Sequence, residues 1–231
     1  NIQLQRIYGT SWFSKEDLNT YLIQQEEAEK RDHRKLGNEL DLFTTSEELG
    51  SGNFLWKPKG AILRDVIESY SKKAHMNNGY SLVNTPHIGK SILWETSGHL
   101  DHYSENMYPP ISHDENNETY YLKPMNCPFH ILVYKSDLHS YKELPLRYFE
   151  FGSVYRYEKT GVLHGLLRLR GFTQDDAHIF CTTAQINDEV KTLLSFSVNL
   201  LSSYGLTEIE ADLSTKPNKY IGSDSDWENA T

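Results

Sequence analysis

Cysteine is scarce in this chain: Cys127 and Cys181 are the only two among 231 residues. So low a content argues against a disulfide-stabilised scaffold and for a reducing compartment, so we predict a cytoplasmic protein. Hydrophobic residues make up 38% of the chain and aromatic residues 12%, with tyrosine unusually common. This composition is typical of a soluble globular protein that buries a core.

Long hydrophobic runs are also missing. No apolar segment reaches the roughly 20 residues that span a bilayer, and the N-terminal stretch NIQLQRIYGT is not typical of a signal peptide. We therefore expect no membrane association. The formal net charge of −9 argues against a general nucleic-acid coat, although it leaves room for a local basic site.

Glycine-rich phosphate loops are absent from the sequence. Neither GxxxxGK[ST] nor GxGxxG occurs anywhere in it, which excludes the P-loop and Rossmann modes of nucleotide binding. A nucleotide site in this chain therefore has to be built from other elements.

Apolar spacing and turn residues predict helices interspersed with strands. The predicted helices begin at Ser14, Gly60, Pro128 and Thr183, the last ending at Gly205. The predicted strands are SLVNTPHI (81–88), LRYFEFGSVYRYE (146–158), RLRGFTQDDAHIFC (168–181) and TEIEADLS (207–214). The strands 146–158 and 168–181 are expected to pair as an antiparallel hairpin. This order predicts an α+β domain with a mostly antiparallel sheet flanked by helices.

Polar and aromatic side chains occupy every second position of the second hairpin strand. Alternate residues of a strand share one face, so the pattern predicts a polar face on the hairpin. Arginine forks fit phosphate oxygens and a phenylalanine can stack on a base, which together indicate a nucleotide site. The alternative is a solvent-exposed sheet face with ion pairs. The residues predicted on this face are Glu150, Arg156, Glu158, Arg168, Phe172, Gln174, Asp176 and His178.

The segments FEFGSVYRYEKTG and HGLLRLRGFTQDDAHIF resemble motif 2 of the class II aminoacyl-tRNA synthetases, and most specifically that of the threonyl-tRNA synthetase family. RDHRKLGNELDLF, LWETSGHLDHY, LKPMNCPFH, LSTKP and IGSDSDW resemble the same family, so the similarity covers essentially the whole chain. GAILRDVIESYSKKAHMNNGYSLVNTP resembles motif 1, with its proline at Pro86. The resemblance implies a class II catalytic domain that forms a homodimer through motif 1.

The resemblance also implies an ATP site. By matching positions, Arg156 would hold the α-phosphate and Glu158 would read the adenine amine, while Arg168 would lie on the γ-phosphate side and Phe172 would stack on adenine. Mg²⁺ would accompany ATP and help to neutralise the developing charge. The implied reaction forms threonyl-adenylate and then transfers threonine to tRNA(Thr), with His99 assisting deprotonation of the ribose hydroxyl.

Cys127 and His178 are too far apart in sequence to form a local zinc motif, and a buried thiol and a satisfied histidine are the alternatives. The resemblance implies a Zn²⁺ held by one cysteine and two histidines. Cys127 and His178 match two of these ligands, and the third would lie outside this chain. Such a zinc keeps positions open for the amino and hydroxyl groups of L-threonine, which separates threonine from valine. By the same resemblance Asp176 would accept from the threonine hydroxyl, Gln174 would contact its amino or carboxylate end, and Met125 would line the pocket, although Met125 alone is equally a core residue.

The resemblance divides the chain into a linker helix at residues 1–36 and a partial catalytic domain at residues 37–231. Motifs 1 and 2 are present, whereas motif 3, an editing module and an anticodon-binding domain have no counterpart. We therefore expect a C-terminally truncated fragment that is inactive alone. The alternatives are another class II synthetase and a non-catalytic, synthetase-like RNA-binding paralogue.

Overall fold

The structure is a computed structural model that describes residues 5–113, 118–218 and 220–230. The chain divides into two compact units, Asn1–Phe180 and Cys181–Thr231. Every residue predicted for the site lies in the first unit. Neither unit contains, in its described residues, a helix long and apolar enough to cross a membrane.

The helices of the first unit begin at capping residues or at proline. The Ser14 side chain accepts a hydrogen bond from the Asp17 N–H at 3.0 Å, which confirms the predicted cap. Pro58 and Pro128 stand in the first turns of their helices, where a missing N–H breaks no hydrogen bond. The bounds are α1 Lys15–Lys30, α2 His33–Glu39, α3 Pro58–Asn77, α4 Ser91–Thr96, α5 His99–His102 and α6 Cys127–Lys135.

The strands of the described chain form three small sheets, in the orders β1-β2, β3-β7-β8 and β4-β6-β5. All their pairings are antiparallel except that of β3 with β7, which confirms the mostly antiparallel α+β prediction. The bounds are β1 Phe43–Thr44, β2 Leu55–Trp56, β3 Ser81–Leu82, β4 Ile88–Lys90, β5 Ile111–His113, β6 Glu118–Leu122, β7 Leu146–Tyr155 and β8 Gly171–Phe180.

Helix α3, which contains the helical part of the segment that resembles motif 1, covers one face of the β7–β8 hairpin. The Arg64 guanidinium donates to the Thr173 hydroxyl at 2.7 Å, and the Ser71 hydroxyl donates to the Asp175 carboxylate at 3.0 Å. These β8 residues belong to the face opposite Gln174, Asp176 and His178, because neighbouring strand residues alternate. The helix therefore closes the back of the hairpin and leaves the other face for the site.

Three secondary-structure predictions are wrong in part. The strand predicted at 81–88 ends at Leu82, and Pro86, which lacks an N–H, lies in the irregular segment before β4. The last long helix, predicted to begin at Thr183, begins at Ile186 with Gln185 as its N-cap, because residues Thr183–Gln185 form a 3-10 turn that Thr182 caps with a capping box. Residues 207–214 form no strand, since no other strand of the described chain pairs with them.

The described residues of the second unit form two α-helices, α7 Ile186–Ser203 and α8 Asp224–Ala230. Gly205 follows α7 with a φ of +82°, a left-handed conformation that ends a helix at little cost in a glycine. This confirms the predicted end of the helix.

Candidate active site

The β7–β8 register brings the predicted polar residues onto one face of the hairpin. Asp176 lies opposite Glu150, and Gln174 lies opposite Gly152. Directly opposed residues of an antiparallel pair project from the same face. Alternation in the sequence therefore located the face correctly for the part of the hairpin that is regular strand.

The alternation does not extend to the three charged residues at the end of the hairpin. Arg156 and Glu158 follow the last residue of β7, and Arg168 precedes the first residue of β8. The prediction that strand parity places them on the face is therefore wrong. The connection between the strands positions them instead.

Arg156 nevertheless lies against the end of the polar face. Its guanidinium carbon is 5.1 Å from the centroid of the Phe172 ring, and its Nε donates to the Pro124 carbonyl at 3.4 Å. A guanidinium at this distance over a ring makes a cation–π contact. The ring and the cation predicted to meet ATP are thus adjacent.

Glu158 and Arg168 form an ion pair with each other. Arg168 Nη2 is 3.0 Å and Nε is 3.1 Å from Glu158 Oε2, and the Arg168 side chain is half exposed. An ion pair with an exposed partner contributes roughly 0–1 kcal/mol. A ligand that forms stronger contacts with both the Glu158 carboxylate and the Arg168 guanidinium can therefore separate them at a small cost in free energy.

Cys127, Asp176 and His178 form a cluster with the composition of a metal centre. Cys127 begins α6, the other two lie on β8, and their three ligand atoms all lie within 4.8 Å of one another. A thiolate, an imidazole and a carboxylate are ligands that Zn²⁺ accepts, so the residues fit this ion. Burial, and then the charge of Asp176, raise the pKa of the Cys127 thiol, and metal binding would displace that proton.

Sequence reasoning placed Asp176 against the threonine hydroxyl, but it did not predict how close the carboxylate lies to Cys127 and His178, and it missed Asn126, which orients Asp176. Asn126 is fully buried, and its Nδ2 donates to Asp176 Oδ2 at 2.9 Å. Its Oδ1 is buried without a hydrogen-bond partner among the described residues. Because a carboxylate only accepts, the amide nitrogen has to face Asp176.

His99, which the resemblance assigns to the transfer step, is in contact with Met125, which it assigns to the threonine pocket. His99 Nε2 is 3.4 Å from Met125 Sδ, and His99 Nδ1 is 2.9 Å from the Ser97 hydroxyl. The ring packs edge-on against Trp94, a fully buried core residue. Burial lowers the pKa of the His99 imidazole, which favours the neutral, proton-accepting form.

A chain of buried polar groups lies behind His178, and sequence reasoning did not find it. His178 Nδ1 is 2.9 Å from His130 Nδ1, and His130 Nε2 is 3.2 Å from Glu150 Oε1. Thr85 and Lys123 complete the chain on the far side of the carboxylate. One available signal was that His130 follows Cys127 by three residues, which places both on one face of a helix.

Glu150 is held as a buried carboxylate by these contacts. Burial raises its pKa, but hydrogen bonds from His130 and Thr85 and the charge of Lys123 outweigh burial and bring the pKa to about 2. The Lys123 ammonium is 3.6 Å from Glu150 Oε1, and both side chains are almost completely buried. A buried charge pair of this kind requires hydrogen bonds to satisfy it.

A family model described as the tRNA synthetase class II core domain (G, H, P, S and T) matches residues 108–227. The threonine–tRNA ligase of Sulfurihydrogenibium sp. (strain YO3AOP1) is 57% identical over 228 residues, covering 99% of this chain and 35% of that protein. The threonine–tRNA ligase of Streptomyces avermitilis is 58% identical over 232 residues, covering 100% and 35%. The chain thus spans about a third of the length of these curated relatives.

Solved structures show the same likeness. The RNA binding domain of threonyl-tRNA synthetase from Cryptosporidium parvum Iowa II superposes with a TM-score of 0.75 at 37% identity, covering 87% of this chain and 49% of that one. Prolyl-tRNA synthetase from Giardia lamblia, solved with prolyl-adenylate, has a TM-score of 0.64 at 16% identity, covering 74% and 35%. The second similarity concerns the fold alone.

Proposed function

The chain belongs to the class II tRNA synthetase core-domain family, and from this premise we propose that it is part of an enzyme that activates L-threonine with ATP and transfers it to tRNA(Thr). One observation carries the choice of threonine. The ligand atom of Cys127, at the start of α6, lies within 4.8 Å of those of Asp176 and His178 on the hairpin face that also carries Phe172. An ATP site is common to class II enzymes, whereas a metal donor set beside it supports recognition of a hydroxyl-bearing amino acid.

In this proposal ATP binds at the Phe172 end of the hairpin face. Adenine stacks on the Phe172 ring, and Arg156, already adjacent to that ring, reaches the α-phosphate. Glu158 accepts from the adenine amine and Arg168 moves to the γ-phosphate, which separates their present ion pair. The arginines and the Mg²⁺ that accompanies ATP stabilise charge as the threonine carboxylate attacks the α-phosphorus.

Threonine binds at the other end of the face, where Cys127 and His178 would hold Zn²⁺ with a further ligand from outside this chain. Zinc with open positions supplies coordination for the amino and hydroxyl groups of threonine. Asp176, oriented by Asn126, accepts the hydroxyl hydrogen. Gln174 contacts the amino or carboxylate end, and Met125 lines the pocket. Valine offers no hydroxyl and leaves Asp176 without its donor.

His99 is the proposed base for the transfer step. Its neutral imidazole accepts the proton of the attacking ribose hydroxyl of tRNA, and the lowered pKa keeps it neutral near pH 7. The Met125 sulfur against Nε2 is a weak partner, so the nitrogen remains available to substrate.

The proposal includes a cytoplasmic homodimer. Exposed apolar side chains on the motif 1 helix, namely Ile62, Leu63 and Val66 of α3, support pairing with a second copy, because contiguous exposed apolar surface marks interaction sites. Residues 1–36 would act as the linker that precedes the catalytic domain, and residues 37–231 as part of that domain.

The decisive experiment is amino-acid-dependent pyrophosphate exchange by the full-length protein that contains this chain. We expect exchange with threonine, weaker exchange with serine, and exchange with valine lower by about 100-fold or more. Exchange with an unrelated amino acid would identify another class II synthetase, and no exchange with any would identify a non-catalytic paralogue. Separately, Cys127→Ala should lower the zinc content, whereas Cys181→Ala should not.

A further inference from the structure

His130 connects the candidate metal centre to a buried carboxylate and uses both ring nitrogens to do so. Its Nδ1 lies 2.9 Å from His178 Nδ1, and its Nε2 lies 3.2 Å from Glu150 Oε1. The side chain is completely buried, so water does not compete for either contact. The hydrogens in these two contacts therefore have to come from the side chains themselves.

The position of each hydrogen can be derived by starting from Lys123, which lies at the far end of this series of buried polar groups. Lys123 is a donor-only ammonium and donates to Thr85 Oγ1 at 2.7 Å. The Thr85 hydroxyl therefore turns its single hydrogen to Glu150 Oε1, at 2.6 Å. The Thr85 backbone N–H donates to Glu150 Oε2 at 2.9 Å. Both carboxylate oxygens of Glu150 are thus acceptors.

Because the Glu150 carboxylate only accepts hydrogen bonds, it determines the tautomer of His130. His130 has to donate from Nε2 to Glu150, and a neutral imidazole with a hydrogen on Nε2 has a lone pair on Nδ1. The hydrogen in the 2.9 Å contact then belongs to His178 Nδ1.

We propose that His130, oriented by Glu150, is a positioning residue that holds His178 in its Nδ1–H tautomer and leaves the His178 Nε2 lone pair for the metal. The inference deepens the proposed zinc site and rests on it. The hydrogen bond to His130 also fixes the orientation of the His178 ring. Partners of this kind typically change metal affinity by about 10- to 100-fold.

The test compares three variants of His130 in the full-length protein by zinc affinity, measured by competition with a chromophoric chelator. His130→Asn carries an amide oxygen near the position of Nδ1 and still accepts from His178. His130→Gln carries its amide near the position of Nε2 and reaches Glu150 instead. His130→Leu fills the space but makes neither bond. We expect His130→Asn to stay within a few-fold of the parent, and the other two to bind zinc about 10- to 100-fold more weakly.

If His130 acted only by filling space, the variants would have a different order of zinc affinity, because leucine is closer to histidine in volume than asparagine is. Equal affinities for all three variants, or a better affinity for His130→Leu than for His130→Asn, would overturn the inference. His130→Asn and His130→Gln are both polar amides, so their comparison remains decisive if the leucine variant does not fold. The visible spectrum of the cobalt-substituted proteins reports the ligand field independently of catalysis.

Two controls separate this inference from the proposed function. His75→Leu removes a buried histidine of α3 that stacks on Phe149, and it should leave zinc affinity unchanged. Cys127→Ala tests the metal centre itself. If Cys127→Ala retains the parent affinity, the zinc site fails; if it loses zinc while all His130 variants retain it, only the positioning role fails.

Discussion

Gly152 on β7 lies directly against the side-chain amide of Asn126, and a Cβ on residue 152 would fall 2.4 Å from both Nδ2 and Oδ1. Glycine is therefore what allows Asn126 to lie over the hairpin and donate to Asp176 at 2.9 Å. The backbone of one strand thereby controls the orientation of a carboxylate on its neighbour.

Gly152→Ala should displace Asn126 and release Asp176. A hydrogen bond to a charged group contributes roughly 1.5–3 kcal/mol, so we expect KM for threonine to rise about 10- to 100-fold in pyrophosphate exchange. The free energy of unfolding should fall by about 1–3 kcal/mol because of overpacking. Gly161→Ala is the control, since a Cβ there meets nothing within 4 Å. Indistinguishable behaviour of the two variants would contradict the role of Gly152.

Phe172→Leu should weaken ATP binding more than threonine binding. Aromatic stacking on a base contributes roughly 1–3 kcal/mol, which corresponds to a rise of about 5- to 150-fold in KM for ATP. Phe172→Tyr keeps the ring and should retain most of the affinity. Phe180→Leu, at the other end of β8, should leave KM for ATP unchanged. Equal effects at positions 172 and 180 would exclude a stacking role.

Glu150 should make the free energy of unfolding depend on pH in the acid range. Its pKa is about 2 in the folded protein against 4.5 as the ordinary value, so the folded state favours the ionised form. The resulting stabilisation, about 3 kcal/mol, is fully present above about pH 5 and is lost as the pH falls toward 2. Denaturant unfolding should show that the free energy of unfolding falls less between pH 7 and pH 3 in Glu150→Gln than in the parent. Glu95→Gln changes an exposed residue and should show the same pH dependence of the free energy of unfolding as the parent. The same pH dependence in Glu150→Gln would refute the expectation.

His33 should stabilise the connection between β7 and β8. The Leu166 N–H donates to His33 Nε2 at 2.9 Å, which joins α2 to the loop that positions Arg156 and Arg168. In His33→Ala the amide of Leu166 loses this acceptor, so its hydrogen exchange should accelerate by about 5- to 10-fold, as expected for a hydrogen bond of roughly 1 kcal/mol. Lys35→Ala, on the exposed side of α2, is the control. Unchanged exchange at Leu166 would show that the contact does not hold the loop.

The regular part of the hairpin could be predicted from residue order, whereas its end could not. Period-two alternation located Gln174, Asp176 and His178 because a strand imposes that period on its side chains. Arg156 and Arg168 lie where the strand geometry has ended, so alternation carried no information about them. The strand predicted at 207–214 failed for a related reason, since β-propensity forms a strand only where a partner strand is available.

The sequence by itself determined which side chains share a strand face, where α1 and α3 lie and, through resemblance, that Cys127 and His178 belong to one site. The tertiary structure alone decided that the Asp176 carboxylate lies within 4.8 Å of the Cys127 and His178 ligand atoms and that Lys123, Thr85, Glu150 and His130 form a buried series of polar groups behind His178. Those contacts join residues 20 to 65 positions apart. They depend on how α6 packs against the hairpin, and no local period in the sequence encodes such packing.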